Sequence, residues 1–163
     1  MQLKNFLIVA SLAAAIPCAA NAQRLSIGAG GGMAGSTESS LSDGRGGPVI
    51  MGSATKSLLP FIGLGVQFDN WRRSGSNVAF ATAHLQLNVP LTPFYVKLGG
   101  GVGTGDPDGR GRSTGAAGQI GAAYDLTLPL APIALTIFGN AFLSHASNRS
   151  MQMVDAGLAF TVK

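Results

Sequence analysis

From residue 24 onward, apolar positions alternate with polar or glycine positions at period two, the spacing that puts neighbouring side chains on opposite faces of a strand. In the closing stretch Val154, Ala156, Leu158, Phe160 and Val162 share one face, while Asp155, Gly157, Ala159 and Thr161 share the other. Phe94, Val96, Leu98 and Val102 oppose Tyr95, Lys97 and several glycines. Ile120, Ala122, Tyr124, Leu126 and Leu128 oppose Gln119, Asp125 and Thr127, and Ala83, Leu85, Leu87 and Val89 oppose Thr82, His84, Gln86 and Asn88. Alternation of this kind predicts eight strands, approximately 24–34, 48–58, 61–70, 78–89, 94–103, 115–128, 133–144 and 151–162. Each is about ten residues or slightly more, the length of a tilted membrane-spanning strand.

One face is greasy and the other polar, which fits a barrel solvated by lipid outside or a soluble barrel with its apolar face buried. The connections are expected to separate the two. Three are short, proline-bearing and uncharged: "LLP" (58–60), "PLTP" (90–93) and "PLAP" (129–132). Between them fall four longer, polar ones: "STESSLSDGRGG", "WRRSGSN", "DPDGRGRST" and "HASNR". Alternating short and long connections match the periplasmic turns and extracellular loops of a transmembrane barrel. Phe61 and Phe94 are then expected at the inner membrane boundary, and Trp71 near the outer one.

Residues 1–22 change the picture by adding an address. Lys4, an apolar run from Phe6 to Ile16 and Ala20-Asn21-Ala22 have the form of a cleaved export signal, so the mature chain is expected to be a single domain over 23–163. Cys18, the sole cysteine, lies in that segment, so residues 23–163 hold no thiol for a disulfide or a nucleophile. Only 11% of residues are charged, with a net charge of +4, and no Lys/Arg stripe interleaved with aromatics marks a nucleic-acid face. No run after Gln23 has the 18 or so apolar residues of a spanning helix. Any crossing of a membrane must therefore be made by strands.

Taken together, the export signal, the glycine-rich "RLSIGAGGGMAG", the strand "PFYVKLGGGVGTG" and the closing "AGLAFTVK" resemble the small eight-stranded outer-membrane barrels of the OmpA/OmpX type. The resemblance implies an all-β, antiparallel, up-and-down transmembrane barrel in the bacterial outer membrane, inserted by the barrel-assembly machinery and monomeric. Such barrels usually end in an aromatic residue. Here Phe160 is the last aromatic and Lys163 the final residue.

Candidate chemistry is sparse. Gly30, Gly32 and Gly35 have the GxGxxG spacing, but the polar turn formers that follow offer no helix to face a pyrophosphate. "DPDG" (106–109) lacks the further ligands of a calcium loop, and two histidines without a mature cysteine make no transition-metal cluster, so no metal or cofactor is expected. Asp69, His84, Lys97, Asp125 and Asp155 fall on the polar face with Gln86, Gln119 and Asn140. They are expected to form a hydrogen-bonded network filling a lumen too narrow for a channel. Arg45, Arg72, Arg73, Arg110, Arg112 and Arg149 all lie in or beside the polar connections, where guanidinium groups suit the phosphates of lipopolysaccharide.

The expected function is therefore a non-enzymatic surface or envelope protein. An enzymatic alternative rests on "HASN": its His-x-Ser-Asn core resembles that of the lipid A 3-O-deacylases. That resemblance implies Ser147 as nucleophile and His145 as base, with Asp155 the only acid left to orient the base, although alternation turns Asp155 toward the lumen. A second alternative is an exported soluble barrel holding an apolar ligand.

Overall fold

In the computed structural model, residues 25–36, 47–73, 76–106, 111–128, 132–146 and 149–162 are described. Eight strands, β1 (Leu25–Ser36), β2 (Gly47–Leu59), β3 (Ile62–Arg73), β4 (Ser76–Asn88), β5 (Phe94–Asp106), β6 (Ser113–Thr127), β7 (Ile133–Ala146) and β8 (Arg149–Val162), form one closed barrel. Each pairs antiparallel with its sequence neighbours, and β8 pairs with β1 to close the ring. Closure leaves no open sheet edge.

The expected parity holds strand by strand. Phe94, Leu98, Val102, Ile120, Tyr124, Leu126, Val154, Leu158 and Phe160 are exposed on the outside, while Tyr95, Lys97, Gln119, Asp125 and Asp155 are buried inside. Exposed large apolar side chains occur on all eight strands. Glycines on the inner face make room in a lumen this narrow. A Cβ at Gly103 would lie 2.7 Å from the Phe80 ring, and one at Gly65 would lie 2.6 Å from both His84 Nε2 and Thr55 Oγ1.

The turn between β4 and β5 is held by its own hydrogen bonds. Leu91 adopts a positive φ of 62° and is almost fully exposed. Thr92 accounts for this conformation: its Oγ donates to Val89 O at 3.1 Å and accepts from Phe94 N at 3.3 Å. Val89 N closes the hairpin onto Phe94 O at 2.9 Å.

Two sequence expectations are corrected. The polar connections are not uniformly long, because the strands run further toward that end than alternation implies. Arg72 pairs with Asn77 and Arg73 with Ser76, and Ala146 pairs with Arg149. Only residues 74–75 and 147–148 then separate β3 from β4 and β7 from β8. Where both faces of a strand turn polar, the period-two signal fades while the backbone ladder continues. The polar connections form the rim of the barrel, and the proline-bearing turns form its opposite, turn end.

Trp71 is the second correction. It is not at an outer girdle but inside the barrel, 1% exposed, in a cluster with Val49, Val78, Phe80, Ala117, Phe142, Met151 and Met153. Phe80 and Phe142 stack with centroids 4.7 Å apart. This cluster fills the rim half of the lumen.

Candidate functional site

Below the apolar cluster, a chain of buried side chains crosses the lumen. Lys97 Nζ on β5 donates to Gln67 Oε1 on β3 at 2.9 Å, and Gln67 Nε2 donates to both oxygens of Asp69 at 3.1 and 2.9 Å. From the other side, Thr82 donates to Gln119 at 2.5 Å, Gln119 Nε2 to Asn140 Oδ1 at 3.4 Å, and Asn140 Nδ2 to Asp155 Oδ1 at 2.8 Å. Asp69 and Asp155 meet within electrostatic reach of each other, and Lys97 is in reach of Asp69, Asp125 and Asp155. One ammonium thus stands among three carboxyl groups. In a low-dielectric lumen such groups hold their places only through mutual hydrogen bonds and charge.

Nearer the turn end, Thr136 donates to Asp125 at 2.6 Å and shares a 2.8 Å hydrogen bond with Thr161, while Thr55 and His84 Nε2 lie 3.2 Å apart. Thr55, Asp125 and Thr161 border a vestibule of about 420 Å³, lined also by Ser26, Ser53, Ser57, Gln86, Asn88 and Thr127, with Lys97 in its wall. Asp69, His84, Lys97, Asp125 and Asp155 are all brought into the lumen. Tyr95, which alternation places on the inner face with Lys97, has its ring centroid 5.7 Å from Lys97 Nζ, and Gln67, which joins Lys97 to Asp69, is a further member that the sequence reading did not single out. Parity alone could have found Gln67, which is two residues from Asp69 on its own strand.

The rim presents a different chemistry. Arg72 faces outward and is exposed, its Nε donating to Asn70 Oδ1 at 2.8 Å, and Asn70 in turn donates to Asn77 Oδ1 at 3.0 Å. The guanidinium is thereby aimed from one nitrogen, leaving its fork directed away from Asn70. Arg112 is exposed just ahead of β6. Arg45 and Arg110 lie outside the described residues. Arg73 and Arg149 sit at strand ends, and the description does not extend to their side chains.

The deacylase set is not assembled among the described residues. His145 is exposed on the outer face, and its Nδ1 lies 3.0 Å from Ser150 Oγ, its cross-strand partner. Ser147 lies outside the described residues. Asp155 is 2% exposed, faces the lumen and accepts from Asn140. A carboxylate on the inner face of β8 cannot orient an imidazole on the outer face of β7, so Asp155 is excluded as the orienting acid.

No protein-family model matches the chain, and no curated protein sequence does. Solved structures do. Neisserial surface protein A is similar with a TM-score of 0.58 at 15% identity, covering 85% of this chain and 96% of that one. The attachment invasion locus protein Ail of Yersinia pestis gives 0.59 at 13%, covering 85% and 98%. The chain has the fold of the small eight-stranded outer-membrane β-barrels. The N-terminal barrel domain of Pseudomonas aeruginosa OprF, at 0.52 and 13% identity over 85% and 98%, shares it. At these identities the likeness speaks for the fold, and the activity of this barrel has to be argued from its own side chains.

Proposed function

We propose that this barrel is a non-enzymatic protein of the bacterial outer membrane that spans the bilayer with its eight strands and offers arginines at its rim to the phosphates of lipopolysaccharide. What carries the proposal is the succession of surfaces on the outside of the barrel. Apolar side chains face outward on every strand, and just beyond them Arg72 is held outward by Asn70. A bilayer is the solvent that such a band suits, since in water it would be a very large exposed apolar patch. Export with loss of residues 1–22, insertion by the barrel-assembly machinery and a monomeric state belong to the same proposal.

Guanidinium–phosphate pairs are charge-assisted and bidentate, so replacing Arg72, Arg73, Arg110 and Arg112 together by Gln should weaken lipopolysaccharide binding strongly. The check is binding of refolded barrel to intact and to dephosphorylated lipopolysaccharide. Phosphate-dependent binding that survives the fourfold substitution would overturn the proposal. Heat-modifiable gel mobility and extraction only by detergent distinguish this reading from a soluble barrel with an apolar ligand.

A further inference from the structure

The outer wall of the barrel has a feature that a uniform lipid-facing surface does not need. A groove of about 400 Å³ opens over β2, β3 and β4, bounded by Gly52, Ala54, Val66, Phe68 and Ala81. Its floor is low because Gly52 has no side chain: a methyl built there would meet no atom within 4 Å. The space outside Gly52 is open to whatever surrounds the barrel, as it is at Gly118.

The ladder fixes what stands above it. Gly52 pairs with Phe68, and Phe68 with Ala81. One outward step toward the rim places Ile50, Asn70 and Ala79 in a row, and the next places Arg72 beside Asn77. Arg72 stands four residue steps from Phe68, roughly 13 Å along the strand. A cation at the polar end and an apolar trough below it, aligned along one strand direction, make a surface complementary to an anionic amphiphile. The acid on the adjoining strand, Asp106 opposite Asn77, accepts a hydrogen bond from Gly111 N at 3.1 Å.

We propose that the Gly52 groove and Arg72 together seat one lipopolysaccharide molecule, with a phosphate on the guanidinium and an acyl chain lying along β3 and β4 into the groove. This rests on the outer-membrane reading above, which makes the rim the outer-leaflet end, where lipopolysaccharide rather than phospholipid is the anionic lipid. Asn70 is a positioning residue: by holding Nε it leaves the two terminal nitrogens of Arg72 to form the fork that matches phosphate. A second groove, about 520 Å³ around Gly118 and bounded by Leu98, Ile120, Leu143 and Val154, provides a comparison. Arg112, exposed just ahead of β6, stands six residues from Gly118, whereas Arg72 stands four residues from Phe68, and His145 and Ser150 lie on β7 and β8, which border this second groove.

The test is native mass spectrometry of the full mature barrel released from nanodiscs of lipopolysaccharide, dephosphorylated lipopolysaccharide or phosphatidylglycerol, with folding of each variant checked by heat-modifiable mobility. The parent barrel should retain one lipopolysaccharide. Arg72→Gln should lower retention about tenfold, as loss of a charged hydrogen-bond partner does. Gly52→Leu, which fills the groove from a position with open space around it, should lower it comparably, and Gly118→Leu, whose groove lies further from its rim arginine, should have the smaller effect. Retention that depends on phosphate but not on Gly52→Leu overturns the groove while the rim reading stands. Retention indifferent to phosphate overturns both, and equal retention of phosphatidylglycerol overturns the choice of lipid.

Discussion

The two halves of the lumen face the same way on the same strands and solve opposite problems. Toward the rim, Trp71, Phe80, Phe142, Met151 and Met153 interlock as a hydrocarbon core. Toward the middle, Lys97, Gln67, Asp69, Asp155, Asn140, Gln119 and Thr82 hold one another through hydrogen bonds. On β3 the change takes one inward step, from Asp69 to Trp71, and on β8 it takes one step from Met153 to Asp155. The apolar half is held mainly by shape, and the one indole N–H in it, that of Trp71, is buried without a hydrogen-bond partner among the described residues. The polar half needs partners, because a buried amide or carboxyl without one costs more than the hydrogen bond returns. Below it the half-buried hydroxyls of Ser53 and Ser57 line a cavity large enough to admit water, so they depend less on protein partners.

The largest effect is expected in the apolar half. Phe80→Ala removes a ring that is 0% exposed and stacked on Phe142, leaving a cavity that its neighbours on closed strands cannot collapse into. About 3–5 kcal/mol of unfolding free energy should be lost, read from urea titrations of barrel in lipid vesicles. A loss under about 1 kcal/mol would mean that the rim half is loosely packed and that the contrast between the halves is one of composition only.

In the polar half, Lys97→Met should cost about 3 kcal/mol, because it leaves Asp69, Asp125 and Asp155 in the lumen without their cation and strips Gln67 Oε1 of its donor. Adding Asp69→Asn and Asp155→Asn to Lys97→Met should return much of that loss, whereas adding them to Phe80→Ala should not. That crossed comparison separates charge from shape with one unfolding assay. Equal losses in the single and triple variants would show that the belt is not held by its charges.

Much of this was legible in the chain. Parity on β5, β6 and β8 sent the right residues inward, because each has a long apolar face that contrasts with polar or glycine neighbours. The rim half of the lumen was hidden by the same logic. Val78-Ala79-Phe80-Ala81 is apolar on both faces, and at Trp71 the contrast inverts, an apolar ring following Asp69 on the inner face while Asn70 and Arg72 take the outer one. Extent was misjudged at the rim as well, where Arg72 and Asn77 look like loop but pair across the ladder. Contacts that depend on closure or register leave no local trace. Lys97 reaches Gln67 only because the sheet closes, and His145 meets Ser150 only because their strands pair in that register.

The smallest effect should come from the vestibule, and its smallness is what makes the contrast informative. Ser57 lines that cavity at the turn end of β2 and is only half-buried. A hydroxyl already served by water has little to lose, so Ser57→Ala should change stability by no more than about 0.5 kcal/mol. Thr136, by contrast, is 2% exposed and donates to Asp125 while sharing a bond with Thr161, so Thr136→Val should cost about 1–3 kcal/mol by leaving a buried acceptor short of a donor. Both residues carry a hydroxyl on the inner face, and the same urea titration measures both. If Ser57→Ala cost as much as Thr136→Val, water would not be serving the turn end, and the lumen would be one continuous packed core rather than a plug, a belt and an open mouth.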